Sequence, residues 1–330
     1  MSRIVLDSPE YIRYFCYLYS LKKTNILAQD NRPYASLEII PPLTGISKEQ
    51  LINDIRPFTE FNPRYINVTC HRDEIEYVQQ EDGTFSRRLV RRRVSETAVC
   101  GAIQSELKVD VVPHIICGGA SAHQIEFQLQ DFKFMGISNV LALRGDCLAG
   151  EKRFTPAPGG FSHADELVRA IRDFEKRNGC EGFFRIGVGG YPEKHFEAPN
   201  IETDIDNLKK KVDAGADYII AQMFFDNNVF YSFVDKCREA GISVPIIPGI
   251  KPISTFRHLQ LLPESFSIDI PRELTDEILS FRDDREAIYR IGQEWATAQC
   301  KDLLAHGVPA IHFYTMGKSA NVIGILKECF

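Results

Sequence analysis

NVLALRGD, residues 139–146, decides how the rest of the chain is read. Four of its first five residues are apolar, and Arg144 and Asp146 then follow, separated only by Gly145. An apolar run of this kind reads as a strand buried on both faces, as in a parallel sheet. A strand that merely needed a turn would not close on a cation, a flexible backbone point and a carboxylate. Similar runs recur along the chain: SLEII (36–40), YINVT (65–69), VDVVPHII (109–116), FRIGVGG (184–190), YIIAQ (218–222), VPIIPGI (244–250) and AIHFY (310–314). Between them lie amphipathic segments such as SKEQLINDI, HADELVRAIRDFEKR and IETDIDNLKKKVDAG, and KVDAGAD and CREAGIS carry the glycine expected just past a helix. About eight such units predict an α/β fold, a closed (β/α)8 TIM barrel. An open doubly wound sheet is the alternative, but SLEIIPPLTG lacks the G-x-G-x-x-G of its first turn.

Two segments stand outside the repeat. Residues 1–34 form an N-terminal extension with an aromatic, helix-like stretch, YIRYFCYLYSLKK, suited to capping the barrel floor or lying in an interface; residues 35–330 form one barrel domain. Residues 76–94, EYVQQEDGTFSRRLVRRRV, follow the second strand, and EDG between two alternating runs predicts a hairpin insertion. Its RRLVRRR cluster could attract anions, although a solvated basic edge that discourages strand addition is the preferred reading. The 330 residues are 44% hydrophobic and carry a net charge of −6, which supports a large core and gives no sign of nucleic-acid binding. Nine scattered cysteines without a Cys-x-x-Cys, a polar N-terminus and no long apolar stretch fit reduced thiols in a cytoplasm, away from the membrane.

Barrel enzymes place their chemistry at the carboxyl ends of the strands. Those ends supply Thr69, His114, Arg144 with Asp146, Tyr191 with His195, Gln222 and Tyr314, while Glu38 lies inside the first strand. Flanked by Leu37 and Ile39, Glu38 is expected to face the lumen, where poor solvation would raise its pKa. Arg144 and Asp146 could equally be a salt bridge, and Gln222 could bond a neighbouring backbone rather than a ligand. His114, His195 and His312 sit on different units and no HExxH occurs, so no metal set is expected. With no nucleophile elbow or phosphate loop either, such a mouth suits a bound organic cofactor.

SLEIIPP, NVT, VVPHIIC, NVLALRGD, GYPEKHFEA, DNLKKKVDAGADYIIAQMFFD, VPIIPGIKPIS and HFYT, in this order over residues 36–316, resemble the methylenetetrahydrofolate reductase family. The resemblance implies a barrel carrying FAD across the strand ends and making methyltetrahydrofolate with NADH or NADPH, or a reduced protein carrier, as donor. It implies FAD contacts from Thr69, His114, Arg144, Gly145, Asp146, Ala164, Tyr191, His195, Asp204, Lys211 and Ile220, and folate contacts from Glu38, Asp146, Gln222 and Tyr314. Glu38 would be the acid that opens the folate's five-membered ring, and Gln222 would align it. Asp146 would accept from the pterin edge and oppose negative charge on the reduced flavin, at ~1–4 kcal/mol for a unit charge a few ångströms away. Hydride would pass in ping-pong order, and self-association into a homo-oligomer is expected. Three positions depart from relatives: His163 before Ala164, where many have Tyr; Met316-Gly317-Lys318, where Leu-Asn-Arg is common; and Leu262, where some carry a stacking aromatic. The competing functions are a folate-binding methyl-transfer component without redox chemistry and a non-catalytic barrel that acts as a partner subunit.

Overall fold

The computed structural model describes residues 33–148, 151, 153–315 and 320–330. The chain begins with β1 (Tyr34–Ile39), α1 (Lys48–Ile55), β2 (Ile66–Val68), a hairpin of β3 (Glu74–Gln79) and β4 (Phe85–Val90), α2 (Glu96–Leu107), β5 (Val111–Ile116), α3 (Ala122–Phe134) and β6 (Asn139–Leu143). It continues with α4 (Ala164–Arg177), β7 (Arg185–Gly190), α5 (Ile201–Asp213), β8 (Tyr218–Met223), α6 (Asn227–Glu239) and β9 (Ile246–Ile250). Helices α7 (His258–Phe266), α8 (Arg272–Ser280) and α9 (Arg285–Ala305) precede β10 (Ala310–Tyr314) and α10 (Ala320–Cys329). Eight strands close a barrel in the order β1-β10-β9-β8-β7-β6-β5-β2, with every neighbouring pair parallel. This is the (β/α)8 barrel that the eight apolar runs predict.

Strand alternation sorts each run into two cores. Leu37, Val68, Ile115, Val140, Val188, Ile219, Ile250 and Phe313 face outward and pack with helix residues such as Leu129, Ile171 and Phe233. Tyr65, Val112, Leu141, Tyr218, Ile220, Ile247 and Ala310 point inward and fill the lower lumen. Several helices start where the sequence offers a capping oxygen: Ser47, Ser95, Ser121, Asn200, Asp226 and Asp284 each accept a backbone N–H of the first turn. A smaller apolar cluster, with Met223, Phe225, Leu274 and Ile291, packs α7–α9 over one side of the barrel. Leu262 belongs to it and is 1% exposed, so it presents no surface for stacking.

The inserted hairpin pairs Glu74 with Val90 through Gln79 with Phe85 around the EDG turn, as the sequence predicts. Three of its five arginines are drawn into local ion pairs: Arg88 with Glu76, Arg91 with Asp73, Arg92 with Glu74 and Glu76. That is the solvated, self-compensated edge rather than an anion trap. The segment leaving β4 is zipped to the one leaving β1. Thr44 N–H donates to Arg92 O at 2.8 Å, Val94 N–H to Pro42 O at 3.1 Å, and the Arg93 guanidinium to Pro41 O at 2.8 Å. The aromatic N-terminal stretch and Met316-Gly317-Lys318 lie outside the described residues.

Candidate active site

Above the apolar plug the lumen turns polar. Register aligns Tyr314, Glu38 and Asn67 across β10, β1 and β2. Glu38 does face inward, with 15% of its side chain exposed. Its Oε2 lies 3.5 Å from His114 Nε2 and 3.8 Å from His312 Nε2, and His312 Nδ1 shares a 2.9 Å hydrogen bond with the Ser36 hydroxyl. These neighbours overturn the expectation of a raised carboxyl. Burial does push Glu38 up, but the contacts with His312 and the charges of His114, His312 and His71 outweigh it, holding the group below the usual carboxylate range. His114 moves the other way: burial depresses it to about 4, so its imidazole is neutral at pH 7.

Gln222 lies in a stretch where the β8–β9 register shifts, between Ile220 and Met223, and bulges of this kind re-aim side chains beside active sites. Its Oε1 accepts from Met223 N–H at 3.0 Å, the backbone partner that its residue type allows. Tyr314 reaches across β9 to donate to Ala221 O at 3.0 Å. Gly249 makes that reach possible, because a Cβ there would stand 2.5 Å from the Tyr314 ring. Thr69 Oγ1 bonds His71 Nε2 at 2.8 Å, at the entrance to the same chamber.

A second group forms the rim above β6 and β7. Arg144 pairs with Glu197, not with Asp146, and lies over the Phe154 ring at 5.0 Å. Asp146 is exposed, and its backbone oxygen accepts from Arg72 at 3.1 Å. Gly145 between them has φ +81°, a left-handed conformation costly for any residue with a Cβ. Beyond β7, His195 N–H donates to Asp204 at 2.9 Å, its Nδ1 accepts from Glu197 N–H at 3.2 Å, and its ring meets Tyr191 edge-on at 4.8 Å. Lys211 donates to Gly189 O at 2.9 Å beneath the Tyr191 ring, and burial lowers its pKa. Burial also depresses His195 and lifts Tyr191 to about 12. Ala164 is the buried first residue of α4, whose leading N–H groups at Ser162 and His163 are taken by Glu166.

The residues singled out from the sequence therefore gather into a lumen set (Glu38, Thr69, His114, Gln222, Tyr314) and a rim set (Arg144, Gly145, Asp146, Ala164, Tyr191, His195, Asp204, Lys211). Ile220 falls outside both, since its side chain sits in the apolar plug, 3% exposed. His312, Ser36, Asn67, His71 and Glu197 were not singled out. The alternation of S-L-E and H-F-Y, which sends Ser36 with Glu38 and His312 with Tyr314 to one face, is the signal that points to two of them.

One carboxylate below the rim titrates in an informative range. Burial raises Glu193, two residues past Tyr191, to about 7, helped by the charges of Asp269 and Asp226 and opposed by the Asp269 N–H that it accepts. A carboxyl raised on folding stabilises the fold fully only below its unfolded value near 4.5, and that contribution is lost as pH rises through about 7. Glu193→Gln is expected to flatten the fall in urea midpoint between those two pH values. An unchanged slope counts against the assignment.

Polar side chains gathered at the carboxyl ends of a closed eight-stranded parallel barrel define the class, a (β/α)8 barrel of the enzyme type. The profile of the methylenetetrahydrofolate reductase family matches residues 23–329. The 5,10-methylenetetrahydrofolate reductase of Escherichia coli is 31% identical over 284 residues, 86% of each chain. The chain belongs to this family. Methylenetetrahydrofolate reductase (NADH) 1 of Arabidopsis thaliana is 33% identical over 315 residues, 93% of this chain and 50% of that one, so the chain spans about half the length of the plant relative. A Clostridium thermocellum protein whose solved structure binds two copies of 5-methyl-5,6,7,8-tetrahydrofolic acid superposes with a TM-score of 0.56 at 14% identity, over 93% of this chain and 97% of that one. At that identity the likeness speaks for the fold alone.

Proposed function

We propose that this chain reduces 5,10-methylenetetrahydrofolate to 5-methyltetrahydrofolate, with FAD as its resident carrier, NADH or NADPH as donor, and residues 35–330 as the catalytic unit. The observation that carries the reading is the joining, in one barrel mouth, of an inward carboxylate flanked by imidazoles to a rim with a cation that lacks a carboxylate partner. Among the described residues Lys211 forms no ion pair, and its donated bond ends on a backbone carbonyl. A fixed cation of that kind suits a diphosphate. Gly145 supplies a left-handed turn between Arg144 and Asp146 that a residue with a Cβ would hold only at a cost, and the Nε2 of His114, orphaned among the described residues, faces the same chamber. These residues fit FAD: Lys211 and Arg144 toward its phosphates, and Thr69, His114 and Asp146 toward its ring.

FAD held there would supply the hydride relay between nicotinamide and folate, in ping-pong order. The chain's own work is then positioning and proton handling. Asp146 accepts from the N–H groups of the pterin edge. Gln222, released from Met223 N–H, aligns the substrate through its amide. Glu38 Oε2 holds the proton that opens the five-membered ring. The imidazole contacts, that of His312 foremost, favour the ionised form of this carboxyl while the mouth is open to water. Covering its remaining exposed surface raises its proton affinity as the substrate seats.

Eight cysteines are free thiols among the described residues, which supports a reducing cytoplasm, and self-association remains part of the proposal. Among the described residues no helix is long and apolar enough to cross a membrane. The test is direct: the purified protein is expected to be yellow, to be bleached by NADH or NADPH, and to regain colour on adding methylenetetrahydrofolate. A colourless protein, or one whose bleached form ignores the folate, refutes the reading.

A further inference from the structure

Asn67 sits in the middle of β2, in register with Glu38 on one side and Val112 on the other, and has no exposed surface. Neither Oδ1 nor Nδ2 of its amide has a hydrogen-bond partner among the described residues, and exchanging the two atoms alters nothing, since both are unpaired. The Nε2 atoms of His114 and His312 are orphaned in the same way. Both stand just too far from Glu38 Oε2, at 3.5 and 3.8 Å, for a good hydrogen bond. Buried polar atoms are almost always paired, and a polar gap of this width is where a bridging water belongs. An interior water needs two to four polar partners, and here register sets the unpaired Asn67 amide beside Glu38, whose carboxylate two imidazoles flank. A substrate cannot serve instead, because Asn67 is closed off beneath the mouth.

We propose that Asn67 is a positioning residue: its amide holds interior water beneath Glu38 and joins that carboxylate to His114 and His312, so that the three exchange a proton as one unit. The inference rests on the folate-reductase reading only for the use to which the proton is put. A proton leaving Glu38 Oε2 for the substrate is replaced by one passed inward from solvent at the mouth along the water and the imidazoles, each neutral ring taking a proton at one nitrogen as it gives one up at the other. The groups facing this unit are His71 from the loop after β2, His114 from β5, and His312 and Tyr314 from β10. Ser36 backs His312, Lys251 donates to Tyr314 O, and Arg93 and Asp146 act at one remove through His71.

A high-resolution crystal structure of the protein as purified is expected to show an ordered water about 2.7–3.2 Å from an Asn67 amide atom and from Glu38 Oε2 or an imidazole Nε2. A dry lumen, with Asn67 bonded directly to its neighbours, overturns the proposal whatever the reaction. Rapid mixing adds a second arm. Asn67→Leu is expected to slow folate reduction by about 10–100-fold and to move its pH profile, while flavin reduction by the nicotinamide stays within about twofold. Asn67→Ser, which keeps a hydroxyl and room for water, is expected to recover most of the loss. Equal losses in both half-reactions with an unmoved pH profile, or no loss, overturn the assignment. If Asn67→Leu does not fold, the crystallographic arm decides alone. A wild-type protein that does not reduce the folate refutes the proposed function and leaves that arm intact.

Discussion

Glu38→Gln is expected to keep FAD bound and to be bleached by the nicotinamide within about twofold of the wild-type rate, yet to lose folate reduction by about 10²–10⁴-fold, the usual contribution of a positioned acid. The substitution retains the shape and removes the proton. It also removes the charge that His114 and His312 flank, so the two imidazoles lose their only carboxylate within 4 Å among the described residues. The half-reactions separate under stopped flow, where bleaching and recolouring are read apart. Recolouring at near wild-type rate would show that the proton comes from elsewhere.

Asp146→Asn is expected to raise the flavin midpoint potential and to slow hydride delivery to the folate. A full negative charge opposes electron density on the reduced ring, so its loss makes the reduced form more comfortable and a poorer donor. Asp146 is exposed before any ligand covers it, and screening therefore favours the lower end of the Coulombic range, about tenfold in rate. Folate affinity should fall as well, because an amide replaces an acceptor-only group opposite the pterin N–H donors. Dye-equilibrated reduction gives the potential and single-turnover mixing gives the rate. A variant unchanged in both would place Asp146 away from the ring.

The barrel was legible because each wall strand carries a short, largely apolar run, and because glycine and capping residues punctuate the helices. NVLAL and AIHFY became β6 and β10 without a residue's shift. Strand ends were legible too, and most of the candidate residues lie where that rule puts them. What escaped depends on closure. Ser36 and His312 are 276 positions apart, and only the pairing of the first strand with the last makes them partners. The proton affinity of Glu38 failed for the same reason: desolvation can be guessed from a strand's pattern, but a histidine delivered by the far end of the chain cannot. The Arg144–Glu197 pair likewise joins the loops of two successive units, where spacing along NVLALRGD offers only Asp146.

The zipper between the segments leaving β1 and β4 gives the opening two unequal lips. One is laced by main-chain bonds and an arginine clasp, so prising it apart would break secondary structure. The other, where Arg144, Phe154, Glu197 and His195 meet, is latched across its two loops by the Arg144–Glu197 pair and the Phe154 ring, side chains that can swing aside without unravelling a strand. A bulky two-ringed visitor thus has a hinge side and a door side, and the door is the one that Arg144 latches.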